Sequence, residues 1–301
     1  MIDNTRPYYW MIDYTPQREW IEGLGICLFL AFVLGTMGGG LYLVSLYFNN
    51  PHGLLAGWVI AVVVKGGIHL FELGRPLRAW RLVFRPKTSW ITRGFFFEAG
   101  FGLFGALQIA PMFFSGLPWE GSNIIIGTSA PIFAFLVMLY AGFVMNYNNA
   151  IALWNNALLP VLFVIYGLLD GCGVLLAIST IGDINKTASL QLVNFDLWVL
   201  IGAIITVAVY LISASYTNAA GRKSVLIIVK GHLSPLLYLG VVVLGMALPL
   251  IVFVFSHQTG TISPALLTAA VACQLVGNFS LRYCLLKAGL YMPLVASNLG
   301  E

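Results

Sequence analysis

Charge is the scarcest property of this 301-residue chain. Asp, Glu, Lys and Arg make up 9% of it, 59% is hydrophobic, and mean hydropathy is +0.91. Soluble domains carry about one-quarter charged residues. A chain this poor in charge cannot clothe a water-soluble core with polar surface, so its main solvent must be lipid. No polar stretch is long enough for a separate soluble domain, and a single membrane domain over residues 1–301 is expected. A basic leader with a small-residue cleavage site is also missing. Asp3, Asp13 and Glu19 stand there instead, so no cleaved signal peptide is expected. Membrane lipid is the expected surrounding, and nucleic acid is not an expected partner.

Residues able to hold a redox group are equally few. The four cysteines, Cys27, Cys172, Cys273 and Cys284, lie in apolar stretches without metal-ligand spacing. They read as buried small hydrophobes rather than disulfides or iron–sulfur ligands. A bis-histidine haem needs two imidazoles at membrane depth on facing helices. Of the four histidines, His52 falls in a hairpin, His232 and His257 flank the seventh apolar run, and only His69 lies within a run. Neither a P-loop nor a zinc motif is present. The chain is expected to carry no haem and no iron–sulfur cluster, so any redox role needs a partner's cofactors and a diffusible carrier.

What is abundant is apolar sequence in long runs with little period-2 alternation, which predicts helices rather than a barrel. Eight runs reach the roughly 20 residues needed to cross about 30 Å of hydrocarbon. They are Glu22–Phe48, Leu54–Leu73, Gly94–Gly116, Ile124–Met145, Leu158–Ile181, Phe195–Ala219, Leu236–Phe255 and Pro264–Tyr291. The expected fold is all-α, a polytopic membrane protein of eight transmembrane helices arranged as two four-helix bundles. The run Asn49-Asn50-Pro51-His52-Gly53 predicts a tight hairpin, and Ser115-Gly116-Leu117-Pro118 a helix end.

The scarce charge is gathered in one place. The stretch "GIHLFELGRPLRAWRLVFRPKTSWITRG" (67–94) holds His69, Glu72, Arg75, Arg78, Arg81, Arg85, Lys87 and Arg93. With eight spans, both termini and the loops after spans two, four and six share one side. All 15 Lys and Arg except Lys65 and Lys186 fall there, Arg6, Arg18, Arg282 and Lys287 included. The positive-inside bias predicts that this side, with both termini, faces the cytoplasm.

Ionisable groups at membrane depth mark cavities, pairs or proton routes. Lys65, His69 and Glu72 are spaced four and three, on one face of the second span. Glu22 enters the first span from the basic side, Glu98 lies one turn into the third, and Tyr140 occupies the matching part of the fourth. A shared polar pocket on that side is expected. Asp170, in the middle of the fifth span, is either a proton-relay group or an aspartate satisfied by hydrogen bonds between helices. Gly38, Gly39 and Gly40 either let helices approach closely or leave room for a flat ring.

Three segments carry a family resemblance: "GTMGGGLYLVSLYF" (35–48), "ELGRPLRAWRLVFRPKTSWITRG" (72–94) and "LYAGFVMNYNNAIALWNNALLPVLFVIYGL" (139–168), with the closing "SLRYCLLKAG" (280–289). They resemble the NrfD/PsrC-type membrane subunits of the polysulfide reductase group, with Ala141 where that family usually has threonine. The resemblance implies a haem-free anchor that exchanges electrons between a membrane quinone, menaquinone or ubiquinone, and an iron–sulfur subunit. That subunit would connect to a molybdenum or tungsten catalytic subunit. It also implies a quinone pocket near the docking face that includes a fourth-span tyrosine, the position of Tyr140.

Quinone reduction takes two electrons and two protons, so a carbonyl needs donors nearby. Tyr140, His69, Glu72 and Glu22 are the candidate quinone contacts, and Glu98, Lys65 and Asp170 the candidate proton carriers. Arg75, Arg78, Arg81, Arg85, Lys87 and Arg93 would attract an acidic partner face. The rival readings are a secondary transporter, which would place polar groups at broken helices near the midplane, and a proton-conducting anchor. The expected location is the inner, cytoplasmic membrane.

Overall fold

The computed structural model describes Met11 and residues 13–119, 123–181, 186–260 and 263–294. Arg6 lies outside the described residues. Among them are eight helices long and apolar enough to cross a membrane. The spans are Gly25–Tyr47, Pro51–Glu72, Trp90–Met112, Ile124–Asn146, Leu158–Ile181, Lys186–Thr217, Leu236–Thr259 and Pro264–Lys287.

Local chemistry sets three of the starts. Asn50, Ser89 and Asn123 cap the second, third and fourth spans with side-chain oxygens that accept from the first-turn amides, each such cap contributing about 1 kcal/mol. The second span therefore begins at Pro51, and His52 sits in its first turn rather than in a hairpin loop. The third begins at Trp90, which leaves Glu98 more than two turns inside it instead of one. His257 belongs to the last turn of the seventh span. Glu22 precedes the first span, in a turn closed by Gly23 at φ 57°.

The first and fifth spans form the centre, with 61% of each hydrophobic window buried against 22% for the second and 17% for the third. Spans two and four flank the first, three packs on four, six and eight flank the fifth, and seven packs on eight. The most extensive contact joins spans one and two, and the next joins spans one and five. The glycine triplet explains that centrality. A Cβ on Gly38 would lie 2.6 Å from Ala61 N of the second span, one on Gly39 2.9 Å from Ala134 O of the fourth, and one on Gly40 1.9 Å from Gly167 O of the fifth. Three successive positions seat three different helices backbone to backbone, as small residues do where lipid gives helices no hydrophobic drive to associate.

One face gathers the segments just before the first span and just after the eighth with the loops after spans four and six. Strand β1 (Thr15–Pro16) pairs antiparallel with β2 (Leu290–Tyr291), and Ile151 of the loop after span four bridges to Tyr291. Buried Gln17 donates to Leu286 O, and buried Trp154 donates from its indole to Leu285 O. The surface helix Ala219–Val229, after span six, brings Lys223 to 3.7 Å from Asp13. The loop after span two contains a 3-10 helix, Pro76–Phe84, with Leu77, Trp80 and Phe84 exposed.

Arg282 does not belong to the charged rim. It is fully buried inside the eighth span, because Asp170 of the fifth meets it there.

Candidate functional site

Four spans meet around Lys65. A π-helical stretch, Val59–Val64, runs directly into it; such irregularities re-aim the side chains that follow. Lys65 is only 3% exposed, and its side chain lies along the first span at Gly35, where a Cβ would come within 2.9 Å of the lysine Cδ. Its ammonium pairs with the Glu98 carboxylate of the third span and stands 5.7 Å from the centre of the Tyr140 ring of the fourth. Tyr140 is held in turn by Gly94, one turn before Glu98. A Cβ there would lie 2.1 Å from the tyrosine ring, so only glycine lets the ring rest on this helix.

Of the residues expected to share a polar pocket, three stand in contact here. Lys65, Glu98 and Tyr140 come together, and the first span contributes Gly35 rather than Glu22. Glu22 lies outside the membrane run and pairs with Lys287 at the end of the eighth span. The hydrogen bond from Lys287, with its charge, holds the Glu22 carboxyl below the usual carboxylate range. His69 and Glu72 stand one and two turns beyond Lys65, with His69 Nδ1 3.6 Å from a Glu72 oxygen. Tyr140 lies within electrostatic reach of both Glu98 and Glu72. One oxygen of Glu98, Oε1, is buried and has no hydrogen-bond partner among the described residues. A buried acceptor left unpaired costs about 1–3 kcal/mol, so this oxygen faces a place where a donor belongs.

A cavity of about 310 Å3 lies between the end of span two at Leu73 and the start of span three at Ser89 and Thr92; Arg75, Arg78, Arg81 and Arg85 line it. These four and Lys87 are exposed. Arg93 is not part of that outward set. It donates to Pro86 O at 2.9 Å and Lys87 O at 2.7 Å and lies 4.5 Å over the Trp90 ring, bracing the loop.

Asp170 is in neither group. It is fully buried and accepts from Arg282 Nη1 at 2.5 Å and from Asn278 Nδ2 at 2.7 Å, both on the eighth span. The interhelical reading of this aspartate describes its geometry. The neighbouring Asp196 of the sixth span, also fully buried, accepts from Gln274 Nε2 at 3.2 Å. Sequence reasoning passed over Asp196, Gln274 and Asn278. Asp196 was readable as a lone carboxylate in an apolar run, but its partner Gln274 stands 78 positions away.

Comparison with known proteins agrees with the eight-span architecture. The family model for "Polysulphide reductase, NrfD" matches residues 20–294. A curated relative, the "Protein NrfD homolog" of Haemophilus influenzae, is 22% identical over 314 residues, covering 92% of this chain and 96% of the relative. The matched region takes in all eight spans and the Lys65–Glu98–Tyr140 junction; the chain is a multi-pass membrane protein and belongs to the polysulphide reductase NrfD family.

Proposed function

We propose that this chain is the quinone-reactive membrane subunit of a respiratory oxidoreductase, exchanging electrons and protons between a membrane quinone and an iron–sulfur partner. The observation that carries the reading is Glu98 Oε1, buried beside Lys65 and Tyr140 with no hydrogen-bond partner among the described residues. The helices around it also favour a lipid-soluble substrate. Spans two and three are the least buried of the eight, and Val63, Val64, Phe95 and Phe96 face outward beside the junction. A carrier dissolved in the bilayer has a lateral route there without crossing a packed core.

The quinone supplies the redox chemistry, two electrons and two protons per turnover. In this reading Tyr140 donates a hydrogen bond to one ring oxygen, and Lys65 holds the Glu98 carboxyl in place. Glu98 then passes protons toward Glu72 and His69, which stand nearer the basic face. Partly desolvated acids and an imidazole suit that task, because their proton affinities are set by neighbours. Menaquinone and ubiquinone present the same paired carbonyls to these groups.

The basic loop gives the electrons their route. Arg75, Arg78, Arg81, Arg85 and Lys87 offer an acidic iron–sulfur subunit a complementary face, which raises on-rate and fixes orientation. Exposed Trp80 and Phe84 add the aromatic anchors that interfaces favour. The positive-inside bias supports a cytoplasmic position for this face, with a molybdenum or tungsten subunit beyond the iron–sulfur one. The test is quinol turnover and bound quinone in the purified complex, wild type against Glu98→Gln. Loss of both with assembly intact is expected; unchanged turnover overturns the assignment.

A further inference from the structure

The loop after span two is built as a membrane-surface element as well as a charged one. Only Leu73, Gly74 and Arg75 separate the end of span two at Glu72 from the 3-10 helix Pro76–Phe84. Side chains three residues apart line up on a 3-10 helix, so the helix sorts its residues into ridges. Leu77, Trp80 and Val83 form an apolar ridge, with Arg78 and Arg81 as a basic ridge beside it. All five are exposed, whereas Ala79 and Leu82 of the third ridge are half-buried. Leu77 is 93% exposed, so something outside the chain must cover it. The Arg81 guanidinium lies 5.6 Å from the centre of the Trp80 ring, which joins the two outer ridges. Apolar surface of the same kind stands at both ends of the loop, where Leu70 and Phe71 of span two and Ile91 and Phe95 of span three are exposed.

The arginines of this loop are also left without counter-charges. Arg75, Arg78, Arg81 and Arg85 line the cavity of about 310 Å3 between the two span ends. Among the described residues none of the four pairs with a carboxylate. The acids that do pair are taken elsewhere: Glu98 by Lys65, Asp170 by Arg282, Glu22 by Lys287 and Asp13 by Lys223. Four like charges around one space repel one another, and a single anion there relieves them all. The cavity falls at the lower end of the roughly 300–1,000 Å3 range of small-ligand pockets. Ser89 and Thr92, at the start of span three, also line it, where the helix dipole is positive. Guanidinium groups match phosphate oxygens in paired hydrogen bonds.

We propose that this cavity binds the phosphate headgroup of an anionic phospholipid, with the Leu77–Trp80–Val83 ridge lying in the interfacial layer of the bilayer. The acyl chains then run along the exposed apolar surface of spans two and three. Two observations favour a lipid over a soluble anion. The arginines stand directly beside a span end, where basic pockets select anionic headgroups. The apolar ridge beside them is the feature by which a short amphipathic helix rests in a membrane surface, and a soluble anion makes no use of it. The site goes beyond the quinone and docking readings and stands apart from both. A partner's surface closes over the loop, whereas only a small group enters the cavity, so a lipid and an iron–sulfur subunit can occupy the loop together.

The test uses the whole chain, delipidated in detergent and titrated with phosphatidylglycerol or phosphatidylcholine, with bound lipid counted by native mass spectrometry. Wild type is expected to hold phosphatidylglycerol about tenfold or more tighter than phosphatidylcholine, and the double variant Arg78→Gln, Arg81→Gln to lose most of that preference, as two basic side chains at an anionic surface imply. The double variant Arg222→Gln, Lys223→Gln, on the other surface helix, keeps it. Equal affinity of wild type for the two lipids overturns the site, as does an unchanged preference in the Arg78, Arg81 variant. If that variant keeps the preference but no longer copurifies with an iron–sulfur subunit, the arginines serve the partner alone. Displacement of phosphatidylglycerol by an equal concentration of inorganic phosphate also overturns the lipid assignment, in favour of a free anion. Where the double variant fails to fold, Arg78→Gln and Arg85→Gln singly are each expected to lose part of the preference, and no loss in either overturns the site. The helix is located separately in vesicles of phosphatidylglycerol brominated near the headgroup. Quenching of tryptophan fluorescence is expected to be stronger in wild type than in Trp80→Phe, and equal quenching overturns the interfacial placement.

Discussion

The ammonium of Lys65 on the second span and the carboxylate of Glu98 on the third form an ion pair inside the membrane region, with the Tyr140 ring beside it. The other Glu98 oxygen has no hydrogen-bond partner among the described residues. The pair therefore holds a carboxylate in place with one acceptor free, an arrangement suited to receiving a donor from outside the chain.

Lys65→Met removes the only described partner of Glu98. Breaking a buried pair costs about 3–5 kcal/mol, and the Glu98 side chain retains 20% exposure, so a loss near the lower end is expected. Adding Glu98→Gln should recover most of the stability and none of the quinone turnover. Thermal unfolding in detergent and quinol oxidation separate the two effects.

Tyr140→Phe removes one hydroxyl and almost no volume. Turnover should fall about tenfold or more, as the loss of a hydrogen bond worth about 1.5 kcal/mol implies, with partner assembly unchanged. Gly94→Ala should mimic it from the other side, because its methyl would displace the tyrosine ring. Normal turnover in both variants would make Tyr140 a packing residue.

Arg282→Met leaves Asp170 buried without its cation, and a loss of about 3–5 kcal/mol is expected. The double variant with Asp170→Leu should regain much of this, since an apolar pair of similar volume relieves the desolvation of both charges. Melting temperatures of the four proteins close the cycle.

Glu22 ties the segment before the first span to the end of the eighth through Lys287. Its carboxyl titrates lower when folded than the ordinary value of 4.5. The pairing thus contributes stability above about pH 4.5 and loses it as pH falls through the lower, folded value. Lys287→Met should return the Glu22 titration to the ordinary range, followed by carboxyl-resolved NMR. The stability change should be small, because the pair is open to solvent.

A cysteine at Thr88, exposed in the basic loop, reports orientation. It should resist a membrane-impermeant thiol reagent in intact cells and react after lysis in the absence of the partner. Labelling in intact cells would put the loop and both termini outside.

Hydropathy alone made the eight spans legible, because a lipid-exposed helix must be apolar over about 20 residues whatever it packs against. Four of the predicted starts, Ile124, Leu158, Leu236 and Pro264, coincide with the observed ones. The spacing of Lys65, His69 and Glu72 likewise announced a polar face. The misplaced starts of spans two and three trace to caps, whereas span six begins at Lys186 rather than the expected Phe195. Asn50 and Ser89 extend helices upstream of the apolar run, which left Glu98 deeper than its hydropathy window implied.

Partnership was not legible, since the groups that decide it stand far apart in the chain. Glu22 and Glu98 look alike in sequence, yet one meets Lys287 in solvent and the other meets Lys65 in the membrane. Arg282 reads as a rim charge near a helix end until the fifth span brings Asp170, 112 positions away, against it. Composition and periodicity determined that this chain would dissolve in a bilayer as helices, because each helix satisfies its own backbone there. Only the packing of those helices decided which charges were neutralised and which oxygen of Glu98 was left waiting, because lipid cannot solvate a charge and another helix must.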